Sequence, residues 1–588
     1  MAHPWSFAGV PAGTAISSSK VNDNFNALDV GFFNITQYGA KCDGSTDDTT
    51  AWQNAFNACN AAGGGVVYHP GGTSMISAPI VRGLNPCILR GAGMGVSIIK
   101  LLPSANINTS AMVASTSSSA LMHHVFDVTF DMNGANLSTI PSNTTFLHVP
   151  NGSILKQCEF KNRIGNPTLS NLNFVLFLNQ NDWTVEDCYF HDDVAPINTT
   201  GTIGGTGSQV VTPASMAGIV VNSIITVDST GTPETVAVTA KTSTTYTATF
   251  LHTHSGTVDM KGGTATSDCV GGGSTSLSVL SQRGVLQNNR FENLLSDAYQ
   301  RTDAHSDLIA GNRVTNCYAG ILVQGGSGHR VVGNVVDSTL RGIQSESNLN
   351  GIAVNFQPGS PDTYNVVVEN NVVIGANISV PFGSGVFAHN LIVADNIVDT
   401  PSGAGIAFAN VKGIKIRGNV IRNPNAQGYT TQPGGSQQTA GVYMFGTSDN
   451  VDCAGNDIID DRGSPKARNG YAINTGTITN VSISGGLVSG VINKAIDAAS
   501  MTSVRVARVN GYNPVGVQAG VAVPNGTGTA YVNNSGVDQT WHVSGGSVTI
   551  IQVNGVTTGL TSGTFSLPVG ANIAMIYSSA PTQVVYGA

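Results

Sequence analysis

Carboxylates are scarce in this chain, so the places where they gather carry information. Only 34 of its 588 residues are Asp or Glu. The densest group is Ser296-Asp297-Ala298-Tyr299-Gln300-Arg301-Thr302-Asp303-Ala304-His305-Ser306-Asp307. Carboxylates beside Arg and His suit acid–base chemistry, in which one carboxyl donates a proton, another activates water, and neighbouring cations set their pKa values apart. Suppose this stretch is one turn of a repeating coil. Aligning later turns on the small residue before the strand (Gly320, Gly342, Gly385) then sets Arg301, Gln324, Glu346 and His389 in one column. Neighbouring coils lie ~4.8 Å apart, so Asp303 and Glu346, two coils apart, are separated by roughly 9–10 Å at the backbone. Inverting hydrolysis of a glycosidic bond needs carboxyls ~6.5–9.5 Å apart and retaining hydrolysis ~5 Å, and side-chain reach brings this pair into the inverting range. The expected catalytic set is therefore Asp303, Glu346 and Asp307. Arg301, His305, Gln324, His389 and Tyr364 are expected to bind substrate. A second group, Glu186-Asp187 with His191-Asp192-Asp193, offers similar residue types. Phe356, Tyr364 and Tyr429 lie in longer loops and are candidates to stack on rings. Asp460, Asp461 and Arg462 read as a charged turn.

The elements that must hold such a column are legible as a repeat. A unit of the form Asn-x-Val/Ile/Phe aligns Val128, Cys158, Cys188, Asn289, Asn312, Asn334, Asn371, Asn396, Asn419 and Asn456, then Gly486 and Ala507. The spacings are 30, 30, 101, 23, 22, 37, 25, 23, 37, 30 and 21 residues. A minimum near 22 with irregular excess fits a three-sided β-coil with variable loops and lacks the steady signature of leucine-rich or propeller repeats. Short β-branched runs precede the unit, as in Val331-Val332 and Ile414-Lys415-Ile416, and read as strands. Recurrent Asn at a coil corner suits a stacked amide ladder, and Asn tolerates left-handed backbone.

Composition agrees with a folded all-β chain. Charged residues are 10%, hydrophobic residues 41%, and glycines number 71. The net charge of −8 opposes nucleic-acid binding, which needs a basic surface. No stretch approaches the ~20 apolar residues of a membrane span, and the N-terminus shows no secretory pattern. The eight cysteines are far apart in sequence, without zinc or redox spacing. Cys158 and Cys188 occupy equivalent places in adjacent coils and are expected to be stacked, buried and reduced. No metal and no cofactor is expected.

The most specific block opens the coil. Ile35-Thr36-Gln37-Tyr38-Gly39-Ala40 precedes Asp43-Gly44-Ser45-Thr46-Asp47-Asp48-Thr49, then Ala51-Trp52-Gln53-Asn54-Ala55-Phe56, then Gly63-Gly64-Gly65-Val66-Val67-Tyr68-His69-Pro70-Gly71. Asp47 or Asp48 can cap a helix whose apolar residues Ala51, Trp52, Ala55, Phe56 and Cys59 share a face. This block resembles the opening of the pectate-lyase-like right-handed parallel β-helix found in bacteriophage tailspikes and related polysaccharide-active proteins, where such a helix covers the open end of the first coil. The resemblance implies an all-β fold with that capping N-terminal helix, and a depolymerase of bacterial capsule or O-antigen. It also implies a homotrimer, carried on the phage tail or baseplate through its N-terminus and acting at the host surface. Glycoside hydrolysis is the expected reaction. A polysaccharide lyase is the alternative, with Arg301, Arg330 or Arg341 as base on a uronic acid; a spike that grips glycan without cutting it is another.

Five segments follow. Residues 1–31 form a leader, in which Val21-Asn22-Asp23-Asn24-Phe25-Asn26-Ala27-Leu28 resembles segments that open phage tail proteins. Residues 32–199 are the first part of the β-helix and 200–272 a small inserted β-domain rich in Gly, Ser and Thr. Residues 273–514 continue the β-helix, and 515–588 form a C-terminal antiparallel β-module with a hairpin turn at Asn554-Gly555, suited to trimerisation or glycan binding.

Overall fold

The computed structural model describes residues 31–587, except 108–110, 116–121, 138–144, 164–174, 177–180, 194–196, 222, 229–233, 265–268, 274–280, 295–296, 318, 338–349, 356–361, 382–385, 402, 427–438, 465, 475–476, 499–502, 513–515, 519–522, 524 and 526–528. Residues 1–30 of the leader, Arg341, Glu346, Phe356 and Tyr429 thus lie outside the described residues.

Short β-branched runs become three-residue strands whose middle residue points inward, because side chains alternate across a strand. One coil shows the plan. Ala319–Gln324 lies in one sheet, Arg330–Val332 in a second and Val335–Asp337 in a third; Asn350–Asn355 then returns to the first, one coil along. Stacking these coils gives three long parallel sheets, here called I (16 strands, from Phe32–Asn34 to Val504–Ala507), II (14 strands) and III (13 strands). The register is regular: Leu308, Arg330, Val367, Ile392 and Lys415 are successive neighbours in sheet I. Inside, like stacks on like. Ile309, Val331, Val368, Val393 and Ile416 are buried beneath sheet I. Phe130, Phe160, Phe190 and Phe291 stack in parallel beneath sheet II, with centroids 5.1, 4.8 and 4.9 Å apart. The chain is a right-handed parallel β-helix, as the repeat and the opening block imply.

The corner from sheet I to sheet II holds the predicted ladder. From Asn289 to Asn419 each amide Nδ2 and backbone N–H donates to Oδ1 of the next asparagine along the stack, at 2.9–3.1 Å, ending at Asn456. Cys188 N–H joins it by donating to Asn289 Oδ1. The left-handed residue is the one before the ladder position, for example Asp395 (φ 54°) before Asn396 and Gly418 (φ 62°) before Asn419. The ladder stops where Gly486, which has no side-chain amide, takes the place. Cys158 and Cys188 occupy the ladder positions ahead of Asn289, buried and free.

The helix Thr49–Ala61 buries Ala51, Trp52, Ala55, Phe56 and Cys59. Asp47 serves its first turn, accepting from Thr49 N–H at 3.0 Å. Asp48 instead accepts from Lys41 N, Cys42 N and Ser74 Oγ, and Ser74 Oγ in turn accepts from Trp52 Nε1. This pins the helix to the strands beneath it.

Seven antiparallel strands between Ile197 and Thr264 form a small two-sheet module with its own core around Ile225, Val236, Tyr246 and Met260. Sheet III resumes at Val270–Gly273. After Val504–Ala507, two four-stranded antiparallel sheets enclose Trp541, Ile551, Leu567 and Ile573. Asn554 and Gly555 both have positive φ (51° and 76°), as the expected two-residue hairpin requires.

Candidate functional site

The corner where sheet III passes into sheet I carries a second file of residues, and this one faces outward. Backbone pairing sets Gln282, His305, Ser327, Tyr364, His389, Lys412, Asp449 and Thr479 beside one another in consecutive coils. At ~4.8 Å per coil the file runs about 34 Å along the axis. Each member precedes a residue of positive φ: Arg283, Ser306, Gly328, Asn365, Asn390, Gly413, Asn450 and Asn480. That left-handed residue turns the backbone into the sheet I strand and leaves the preceding side chain on the outer edge.

Three expected binding residues, His305, Tyr364 and His389, fall in this file. His305 Nδ1 lies 2.7 Å from Ser327 Oγ. The Tyr364 and His389 rings stack with centroids 4.5 Å apart and planes 12° apart. Tyr364 is 41% exposed. His389 Nε2 lies 2.7 Å from Asp362 Oδ2, and Phe387 N–H donates to Asp362 Oδ1 at 2.9 Å. Burial pushes the Asp362 carboxyl up, but the hydrogen bonds from Phe387 and His389 and the charges of His389 and Lys412 outweigh it. Asp362 therefore lies below the usual carboxylate range. The Lys412 ammonium sits 3.9 Å over the Phe387 ring. Asp449 accepts from Thr479 Oγ1 and Asn480 Nδ2 and lies below its ordinary value, the Thr479 bond being the main cause.

Gln324 flanks the file on sheet III, accepting at Oε1 from Gln300 Nε2 and Thr302 Oγ1, both at 3.0 Å. Asp303 stands at the corner with φ 50°, its N–H donating to Gln324 O at 2.7 Å. A Cβ on Gly325 would meet Asp303 Oδ1 at 2.3 Å, so only glycine allows the carboxyl to lie there. Asp303, His305, Gln324, Tyr364 and His389 are thus brought to one edge.

Two expectations fail. Asp307 and Arg301 point inward and their side chains have no exposure. Asp307 Oδ2 accepts from Arg301 Nη1 at 2.9 Å and Tyr299 OH at 2.8 Å, and Oδ1 from Gly284 N at 2.7 Å. The Arg301 guanidinium lies 5.0 Å over Trp183. This is an ion pair of the core, out of reach of a polymer. The cause is register: Arg301 pairs with Val323 while Thr302 pairs with Gln324, and a slip of one residue moves a side chain to the opposite face. His389 is also not in the column of Gln324, because it belongs to sheet I.

The second group divides between two faces. Glu186 lies on sheet I with Lys156 and Gln287. His191, on sheet II, bridges Glu159 and Asp192 at 2.8 Å each. Asp193 is buried against Arg163. Asp460 organises a loop, accepting from Arg462 and from the N–H groups of Lys466 and Ala467, while Asp461 pairs with Arg422 at the surface. Among the described residues no group of three or more His, Cys, Asp and Glu could hold a metal. No described helix is long and apolar enough to cross a membrane.

Sequence reasoning missed Gln282, Ser327, Lys412, Asp449 and Thr479 in the file, and Asp362 beside it. For the file members a signal was available: each is followed by Gly, Asn, Ser or, once, Arg at the left-handed position.

Residues 32–248 match the family model described as rhamnogalacturonase A/epimerase, pectate lyase-like. Residues 250–458 match the right-handed β-helix region. Mannuronan C5-epimerase AlgE3 of Azotobacter vinelandii is 38% identical over 113 residues, 18% of this chain and 6% of that protein. Alginate lyase 7 of the same organism is 34% identical over 111 residues, 18% of this chain and 13% of that protein. The chain thus spans only a small part of the length of these relatives. Among solved structures, the Dettilon tailspike protein aligns at 12% identity and TM-score 0.48, covering 97% of this chain and 96% of that one. Gene product 12 of bacteriophage phi29 aligns at 16% identity and TM-score 0.49, over 84% and 59%. The chain is a right-handed parallel β-helix protein whose residues 32–248 match a pectate-lyase-like family model.

Proposed function

We propose that this protein binds an acidic polysaccharide lengthwise along the III–I edge and acts on it there, as the spike of a phage tail working at a bacterial surface. The observation that carries this reading is the outward file of rings, hydroxyls and charges repeated once per coil. A glycan lying along the axis meets a new polar or stacking group at each step, the arrangement that orients an extended ligand. Lys412 supplies attraction for a uronate carboxylate. His389, oriented by Asp362, is the general base, because a carboxylate that holds one imidazole nitrogen fixes the ring's tautomer and direction. Tyr364, stacked on it, is the partner acid. This pair suits removal of the proton next to a uronate carboxylate, the step that opens both β-elimination and C5-epimerisation. The relatives matched over the 113- and 111-residue stretches carry the names of those two reactions. The spike assignment rests on the resemblance of residues 35–71, which also suggests a homotrimer attached through the leader.

Hydrolysis is the second reading. Asp303 supports it, since it stands on the same edge with its space kept open by Gly325; Glu346 would be its partner. The test is to incubate the full-length protein with purified capsules, O-antigens and uronate polymers. Elimination gives shorter chains with an ultraviolet-absorbing unsaturated end, hydrolysis gives shorter chains with new reducing ends only, and epimerisation leaves length unchanged but alters the sugar. Finding that no uronate polymer is bound or altered would overturn the proposal.

A further inference from the structure

The capped end of the β-helix holds a feature that the glycan reading does not use. Cys59 lies in the last turn of the helix Thr49–Ala61, and Cys87 begins the sheet I strand Cys87–Gly91. Their sulfurs are 2.8 Å apart, and neither residue has any exposure. Arg82, whose charge acts on Cys87, is equally buried. Its Nη2 donates to His148 O at 2.7 Å, but Nε and Nη1 have no partner. Among the described residues no carboxylate pairs with it. A buried guanidinium without a counter-charge is costly, and the environment favours an anion nearby. A thiolate meets that need, and a cation beside a cysteine is what makes the sulfur nucleophilic.

We infer that Cys59 and Cys87 are a redox-active pair that closes into a disulfide when the protein meets an oxidising medium, tying the capping helix to the coil beneath it. The two sulfurs differ in character, as such chemistry requires. The S–H donated by Cys59 holds the Cys87 thiol below its usual range; burial opposes this and the Arg82 charge assists it. Cys59 is held well above the usual range, first by its bond to Cys87 and then by burial. Cys87 is thus the attacking thiolate and Cys59 the resolving thiol. With hydrogen peroxide, a molecule little larger than water, as oxidant, the Cys87 thiolate attacks one oxygen and expels the other as hydroxide, leaving a sulfenic acid. Cys59, losing its proton, then attacks the Cys87 sulfur and displaces its hydroxyl as water. Two electrons and two protons leave the pair, and one peroxide becomes two waters. Inside a reducing cytoplasm the pair stays open; outside the cell it closes. Cys59 and Cys87 are 28 residues apart in sequence, and a cross-link that closes such a loop restricts the unfolded chain.

The test uses the full chain treated with dilute hydrogen peroxide, then denatured in acid and titrated for thiols. The eight thiols of the reduced protein should fall by two, peptide mapping should find Cys59 joined to Cys87, and the thermal midpoint should rise and return with dithiothreitol. Cys59→Ser and Cys87→Ser should abolish both the link and the response to oxidant. All eight thiols surviving in the folded, oxidant-treated protein, or a link between other cysteines, would overturn the inference. Because the wild-type count and map decide the matter alone, a variant that fails to fold leaves the test intact.

Discussion

Two files of side chains run along the later coils of this β-helix, from Gln282 to Thr479, and they are built on opposite terms. The asparagine file repeats one residue seven times, at most 1% exposed, with each amide answering its neighbour. The edge file places eight residues of varied chemistry along the outer edge, several in contact with groups outside the file. Both rely on a left-handed residue at a corner. A coil thus offers each position as a separate slot. Where the slot is buried, an identical residue in every coil satisfies every donor and acceptor within the stack, and the result is rigidity. Where the slot is exposed, nothing requires uniformity, and the chemistry is free to follow a ligand.

The same contrast holds for single ion pairs, and it is there that the largest effect is expected. Arg301–Asp307 is buried while His389–Asp362 is at the edge. Replacing Asp307 by Ala leaves a guanidinium in the core without its partner and should destabilise the protein by about 3–5 kcal/mol, read by denaturant unfolding. If the variant unfolds like the wild type, the pair is not the core element described. Next in size, His389→Ala should lower activity on the polymer by about a hundredfold or more, with only a small drop in thermal midpoint from the lost stack on Tyr364 and bond to Asp362. Loss of stability with activity retained would place His389 with the structural file. Asn371→Ala is the converse. It removes the acceptor for Asn334 N and Nδ2 and should cost about 2 kcal/mol, with binding of the polymer by the folded fraction unaffected.

How much of this was legible in the sequence depends on how strictly local physics fixes each feature. The asparagine spacing gave the coil stack, since each ladder residue must recur once per coil whatever the loop lengths between. Trp52, Phe56 and Cys59 gave the capping helix through their spacing. The site was harder. Anchoring strands on a preceding small residue put Arg301 beside Gln324, one place away from its real neighbour Val323, and with a period of two that error turned a core residue outward. Asp307 resembled a catalytic acid because composition cannot separate a buried carboxylate from an exposed one. His305 and Tyr364 stand out by residue type and His389 by the alignment on Gly385, but their common file rests on the left-handed residue after each. The spacing between those three positions is too irregular to reveal it without the corners.

The smallest expected effect concerns acid, and it tests whether Asp362 belongs to the working edge. Its carboxyl is depressed below the ordinary value by Phe387 N–H, His389 and Lys412 acting against burial. A carboxyl whose folded pKa lies below its unfolded value of about 3.9 adds stability that is fully present above the unfolded value. That stability is lost as pH falls through the folded one. Wild-type protein should therefore lose this increment only below about pH 4, whereas Asp362→Asn should lack it at every pH. The gap between their thermal midpoints should be constant at neutral pH and shrink on acidification. Activity should respond differently, because the asparagine cannot hold the imidazole as a carboxylate does: the variant should be slow at neutral pH, where the gap in stability is still open. A variant that matches the wild type in rate, and differs only in the acid limb of stability, would show that Asp362 supports the loop and does not orient His389.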